Sequence, residues 1–402
     1  MEIVDRYLEL GLRLGRHVDG LVDAYYGPPD LAAAVDREEL RDPAALAADA
    51  DELVEALDGE HGLGERRAGW LRDQAAGLRT YSRLLAGEQV GYRDEVEGCY
   101  GVRPSRVPEE TFAAAHERLE QLLPGTGLLG ERYEAWRLAN AVPPDRILEV
   151  LQPLLSLLRK RTLDVVELPA DEEFELELVS DEPWAAFNYY LGGHRSRIVV
   201  NTDLPLTAAE VVVLAAHEGY PGHHTEHAVK ERLLIEERGQ LEESIQLVPT
   251  PQALLSEGIA EVGTELLAGE EVSSELTAIF ASAGLRFDPE ESRAIRAVRE
   301  PLAGVMPNAA ILIHEDGLPE EEARAYVARW ALATAYRAER MVSFVVDPTW
   351  RGYVTTYTEG LRLCRAFVGG DLRVFRRLLT EPVRVGELLA AAGGDAAVSS
   401  GP

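Results

Sequence analysis

Lysine is almost missing from this chain. It occurs only at positions 160 and 230, so arginine carries nearly all the positive charge. Positive charge is itself scarce: 40 Lys and Arg face 70 Asp and Glu, a formal net charge of −30 over 402 residues. A chain this acidic repels polyanions, which argues against nucleic-acid binding and against an anionic membrane surface, and favours neutral or cationic substrates. Cysteine is nearly absent too. Cys99 and Cys364 are too few for a disulfide framework or a thiolate metal site, and imply a reducing compartment, the cytoplasm. No run approaches the roughly 20 apolar residues of a membrane-spanning helix. The opening MEIVDRYLELGLRLGRHVDG is a charged amphipathic pattern without the apolar core of a signal peptide. No repeat of solenoid length is present.

Hydrophobic residues make up 46% of the sequence and aromatics 7%, which suits a large core of Ala-rich packed helices in one large domain or two ordinary ones. Residues 1–165 read as a run of helices. The first carries Ile3, Leu8, Leu12 and Val18 near helical spacing and is expected to end around Tyr26–Pro29. Others follow at 43–58, 65–86, 108–123, 130–140 and from Pro144 to about Thr162. The pattern changes at 166–203, where VVELPADEEFELELVS alternates apolar and acidic residues and NYYLGGHRSRIVVNT is β-branched beside glycines; both predict strands. Helices resume at Pro205, with Thr207-x-x-Glu210 as a capping box and Thr250–Pro251 as a second helix start. Further helices are expected at 272–285, 288–300, 319–346 and 349–368. The fold class expected is mainly α: a large helical domain with a small β-sheet region beside the active-site helix. Residues 1–165 would form an N-terminal helical region continuous with a metal-site region over 166–392, followed by a disordered small-residue tail at 393–402.

The densest chemistry is AAHEGYPGHHTEH at 215–227, which holds four of the nine histidines. Imidazoles can hold a divalent ion, and an adjacent carboxylate can move a proton. The apolar VVVLAA before it predicts a buried helix that carries His217 and Glu218 into the interior. An HExxH zinc site has its second histidine one turn after the first, with the Glu as general base on a metal-activated water. Here position 221 is Pro and the next histidines are 223 and 224. On a regular helix, 217 and 223 would point about 120° apart, and 217 and 224 would stand about 10 Å apart. Neither pair chelates without a break, and Pro221–Gly222 can supply one. His223 is the preferred second ligand, with His224 as the alternative or as a substrate or outer contact. Catalytic zinc needs a third ligand. Glu257 and Glu261 share a face of an otherwise apolar helix, so Glu257 would bind Zn2+ and Glu261 would orient a ligating imidazole. His227 is expected on a solvent-facing turn, and His194 as structural or exposed.

These residues resemble a known family. HEGYPGHH at 217–224 is similar to the HExxPGHH signature of the bacterial DUF885 family, itself allied with gluzincin-type zinc metallopeptidases. IVVNTDLP at 198–205, with Asn201, resembles the strand that precedes the signature. SEGIAEVGTEL at 256–266 resembles the EGWALYxE helix through Glu257, Gly258 and Ala260. ILIHEDG at 311–317 resembles a segment with a characteristic His, here His314. RGYVTTYTEG at 351–360 resembles PGQALxYKxG, placing Tyr357 and Gly360 on the family's Tyr and Gly. Ile259, Val262, Tyr353 and Thr358 depart from the family pattern, which bears on substrate preference. The resemblance implies a helical metallopeptidase-like fold with an edge strand along the cleft. It also makes Tyr357 and His314 candidates for stabilising an oxyanion, and Asn201 a candidate outer or substrate contact.

The function expected is a zinc-dependent hydrolase of peptides or small amides, with Glu218 as general base. Two alternatives stand beside it: a non-catalytic helical metal-binding or binding-module protein whose cluster is structural or empty, and a zinc hydrolase of non-peptide amides or esters. Side-chain preference, exo- or endo-action and oligomeric state are not legible in the sequence.

Overall fold

The computed structural model describes residues 2–180 and 185–398. The fold is mainly α. Local chemistry explains several helix starts: the Asp42 carboxylate accepts from the Ala44 N–H at 2.9 Å ahead of Pro43–Asp58, and Asp288 accepts from Glu291 at 3.0 Å ahead of Pro289–Arg299. Such caps satisfy amide donors that the first helical turn leaves open. One continuous apolar core runs from Val4 to Leu388, so the helices at 1–165 share their interior with the later region. A satellite cluster around Phe112, Val305, Val327 and Val342 lies beside it.

The strands are short: β1 Val22–Tyr25, β2 Ala141–Val142, β3 Glu173–Val179, β4 Ala186–Gly192, β5 Arg195–Asn201, β6 Leu206–Thr207 and β7 Ile245–Leu247. β3, β5 and β4 form a sheet in that order, β3 parallel and β4 antiparallel to β5. Alternation in β3 leaves Glu173, Glu175 and Glu177 outward, as the acidic–apolar pattern predicts. β1 pairs with β7 and β2 with β6, both antiparallel.

Several expectations are corrected. The first helix is Ile3–Gly15 and does not reach Tyr26; β1 takes up 22–25 and finds its partner more than two hundred residues on. Such a pairing leaves no local periodicity to read. The segment 319–346 is two helices, Glu320–Trp330 and Ala335–Val346, broken where Leu332 adopts φ 54°. The helix Val385–Val398 runs into the stretch expected to be a disordered tail, and 399–402 lie outside the described residues. Thr250 is the N-cap residue with Pro251 opening the helix, as expected, but its hydroxyl donates to the Leu247 carbonyl at 2.8 Å and the Gln74 side chain receives the Gln252 N–H instead.

Candidate metal centre

Thr207 and Glu210 exchange both bonds of the capping box, at 3.2 and 2.8 Å. The helix Ala208–Leu214 then buries Ala208, Val211, Val212 and Leu214 and widens into a π turn over Ala215–Gly219. Tyr220 is extended, the Tyr220–Pro221 peptide is cis, and a helix restarts as His223–Lys230. Gly222 donates its N–H to the Ala216 carbonyl at 2.9 Å. A Cβ at 222 would stand 1.8 Å from the His217 carbonyl oxygen. The chain thus folds back onto the end of its own helix, and only glycine fits there. The result is that the His217 and His223 rings meet edge to face at 4.7 Å.

Glu257 comes from the helix Pro251–Leu267, which crosses the helix Val354–Val368 at Gly258 and Gly360. A Cβ on Gly258 would lie 2.4 Å from the Gly360 carbonyl, so this close crossing also requires a missing side chain. Ligand atoms of His217, His223 and Glu257 all lie within 4.8 Å of one another. His217 Nε2 is 3.3 Å from Glu257 Oε2, and His223 Nε2 is 3.9 Å from Glu257 Oε1. Tetrahedral zinc with bonds of about 2.0–2.1 Å would set its ligand atoms about 3.3 Å apart. Glu257 Oε2 is buried without a hydrogen-bond partner. A buried carboxylate with one oxygen facing each of two imidazoles fits a cation.

Each of these three side chains has a partner on its far side. His217 Nδ1 is 3.4 Å from Glu261 Oε1, and the other oxygen of Glu261 takes Arg296 at 3.1 Å. His223 Nδ1 is 3.1 Å from Ser256 Oγ, which donates to Glu226 Oε2 at 2.7 Å. Because Ser256 gives its proton to Glu226, it accepts one from Nδ1, leaving the Nε2 lone pair of His223 free for a metal. Tyr353 donates to Glu257 Oε1 at 2.5 Å. Such outer contacts fix tautomer and ring orientation. Burial alone would lower the pKa of His217, but Glu257 and Glu261 more than reverse this and raise it well above its ordinary value. Glu218 forms no side-chain hydrogen bond or ion pair with a described residue. Burial, with the charges of Glu257 and Glu261, raises its pKa despite the opposing His217 and His223. Its backbone carbonyl is held by Asn188 of β4 at 2.6 Å.

Other expected site residues lie elsewhere or act differently. His224 is fully buried and spends both ring nitrogens away from the triad, on Ser196 Oγ at 2.8 Å and Glu172 Oε2 at 2.9 Å. His227 is not solvent-facing: it is buried against Tyr190, because the restarted helix turns that face inward. His314 is committed to the Val345 carbonyl at 2.7 Å and stacks on Tyr92, which removes its Nε2 from any oxyanion role. Asn201 ends β5 and accepts from the Asp203 N–H at 3.0 Å, a turn-forming contact. Tyr357 packs edge to face on Tyr353 at 5.6 Å while 41% exposed. Desolvation and the charges of Glu257 and Glu218 raise its pKa well above the ordinary value, so it stays a proton donor. His194 is buried with Nδ1 on Asp171 at 2.9 Å.

Three residues at the centre escaped the sequence: Asn188, Ser256 and Tyr353. Ser256 had one local signal, since it directly precedes Glu257.

No family model matches the chain, and no curated protein does. The fold is similar to that of a candidate lipoprotein from Colwellia psychrerythraea, at TM-score 0.52 and 14% identity over 87% of this chain and 66% of that one. A candidate lipoprotein of unknown function from Shewanella oneidensis gives 0.49 and 14% identity over 89% and 75%. The chain therefore spans just under two thirds of the length of the Colwellia protein. Among the described residues, no helix is long and apolar enough to cross a membrane.

Proposed function

We propose that the protein is a zinc-dependent hydrolase of peptide or small amide bonds, akin to the DUF885 and gluzincin-type enzymes that HEGYPGHH resembles. The observation that carries this reading is the cluster of His217, His223 and Glu257, whose ligand atoms all lie within 4.8 Å of one another. Those three residues would hold the ion. When bound, zinc supplies Lewis acidity and lowers the pKa of water.

The protein's own groups do the rest. Glu218, without a side-chain partner among the described residues and with a raised pKa, takes the proton of the attacking water and returns it to the leaving amine, a task suited to a carboxyl group tuned upward. Tyr357 donates its phenolic proton in a hydrogen bond to the developing oxyanion. Ser256, Glu261 and Tyr353 hold the ligands in place. We assign the protein to the cytoplasm, because Cys99 and Cys364 are both free and buried. Cell fractionation tests this against the lipid anchoring that the fold relatives' descriptions suggest.

Purified without a metal-binding tag, the protein should contain about one zinc per chain, a content that His217→Ala abolishes. Glu218→Gln should keep the zinc and lose about 100- to 10,000-fold in turnover of a mixed peptide library. Full turnover in zinc-loaded Glu218→Gln would remove Glu218 from the chemistry. A protein with no affinity for zinc would end the hydrolase reading.

A further inference from the structure

The outer contact behind His223 is one end of a longer chain of hydrogen bonds. His223 Nδ1 lies 3.1 Å from Ser256 Oγ, and Ser256 Oγ lies 2.7 Å from Glu226 Oε2. The other oxygen of Glu226 takes Lys230 Nζ at 2.7 Å and Gln252 Nε2 at 3.1 Å. The chain is out of water: Glu226 is fully buried, and Ser256, Gln252 and Lys230 are buried around it. Lysine occurs at only two positions, and Lys160 is exposed. The buried lysine is thus spent on this one carboxylate.

The proton inventory gives the chain a single direction. An ammonium group only donates, so Glu226 Oε1 accepts. Burial alone would raise the pKa of Glu226, but Lys230 and the bond from Ser256 outweigh it and hold the group below its ordinary value. An ionised carboxylate has no proton to give, so Oε2 takes the one hydroxyl proton of Ser256. Only lone pairs are left on Oγ. A bare Nδ1 would set two lone pairs against each other at 3.1 Å, whereas a protonated Nδ1 makes a hydrogen bond. The ring proton therefore belongs on Nδ1, and Nε2, 3.9 Å from Glu257 Oε1, carries the lone pair. His217 is backed differently, by the carboxylate of Glu261 with no hydroxyl between them.

We infer that Glu226, kept ionised by Lys230, sets the tautomer of His223 and so presents Nε2 to a metal. Both are positioning residues that act through Ser256. The consequence for metal binding rests on the metal-centre reading above, while the tautomer is a property of the metal-free protein.

Glu226→Gln tests the direction. Lys230 and Gln252 would hold the carboxamide oxygen, which turns the carboxamide NH2 towards Ser256. The hydroxyl proton of Ser256 then points at Nδ1, and the ring proton moves to Nε2. Nitrogen-15 NMR of metal-free, histidine-labelled protein reads this at a pH above the ring's titration. Wild type should show His223 protonated on Nδ1, Glu226→Gln on Nε2, and Ser256→Ala a mixture of both. Glu226→Gln leaves Lys230 buried without its counter-charge, so Glu226→Gln/Lys230→Met is the second variant. It removes both charges at nearly constant volume; Gln252 still holds the same oxygen, and the proton should again be on Nε2. Zinc affinity, from chelator competition, should fall about 10- to 100-fold in both variants. Added to Ser256→Ala, neither should weaken zinc further, because the chain is already cut. Wild-type His223 protonated on Nε2, or a proton that stays on Nδ1 in the double variant, would overturn the inference and leave the metal centre standing. So would zinc losses that add to the loss from Ser256→Ala. The expected tautomers in a protein without affinity for zinc would uphold the inference and end the hydrolase reading.

Discussion

The centre depends on single atoms that have no substitute. Tyr353 is one: its hydroxyl is 2.5 Å from Glu257 Oε1 and is the contact that leaves Oε2 free to face the histidines. Tyr353→Phe removes that bond with little change in volume. It should weaken zinc binding about 10- to 100-fold, the usual cost of losing an outer partner, with only a small loss of stability; chelator competition measures it. An unchanged affinity would show that Glu257 is oriented by its helix alone. The sequence could not name this residue. The pattern that 351–360 resembles has Gln at this position, and an aromatic at helical spacing reads as core. What brings Tyr353 to Glu257 is its place across the Gly258–Gly360 crossing.

At the scale of the element, the break at 219–222 does what a regular helix cannot. Pro221–Gly222 was legible as a break, but its geometry was not. The chain widens at 215–219, passes through an extended Tyr220, and returns so closely that Gly222 touches its own helix end. Gly222→Ala would put a methyl group 1.8 Å from the His217 carbonyl. It should cost at least about 3 kcal/mol, the upper end for overpacking, and release zinc. Gly386→Ala is the control: it lies in the helix Val385–Val398 and would meet nothing within 4 Å, so it should be neutral or stabilising by up to about 1 kcal/mol. Urea unfolding with metal analysis distinguishes the two. Equal effects would mean that the break can relax without cost. The restart of the helix also decides between the paired histidines, turning His223 to His217 and Glu257 and His224 to Ser196 and Glu172.

Over the whole molecule, folding one continuous core from both ends of the chain buries acidic groups that a protein of charge −30 cannot all pair. Glu243 is the clearest case. It is buried with both carboxylate oxygens unbonded. Burial pushes its pKa from 4.5 up to about 7, with Lys230 opposing and Glu242 and Glu226 reinforcing. The folded state therefore binds this proton more tightly than the unfolded chain. Stability from this group is fully present below pH 4.5 and is lost as pH rises through about 7, a change of about 3 kcal/mol. Compared with wild type, Glu243→Gln should gain about that much stability between pH 4.5 and pH 8, read from urea denaturation at a series of pH values. A difference that stays flat with pH would show that Lys230 keeps Glu243 ionised throughout.

The sequence by itself determined the acidic surface, the mainly helical fold, the capping box at Thr207 and Glu210, the strands at 173–201, and the meeting of an HE pair with a Pro–Gly break. These are set by composition, by period, or by residues within a turn of one another. Only the tertiary structure decided that His223 rather than His224 faces Glu257, that His314 is spent on Val345, and that Ser256 and Tyr353 join the centre. Each of those depends on how far one element is rotated against another, or on contacts between residues remote in the chain. Periodicity along the sequence fixes neither, because packing sets the rotation after the backbone has left its regular path.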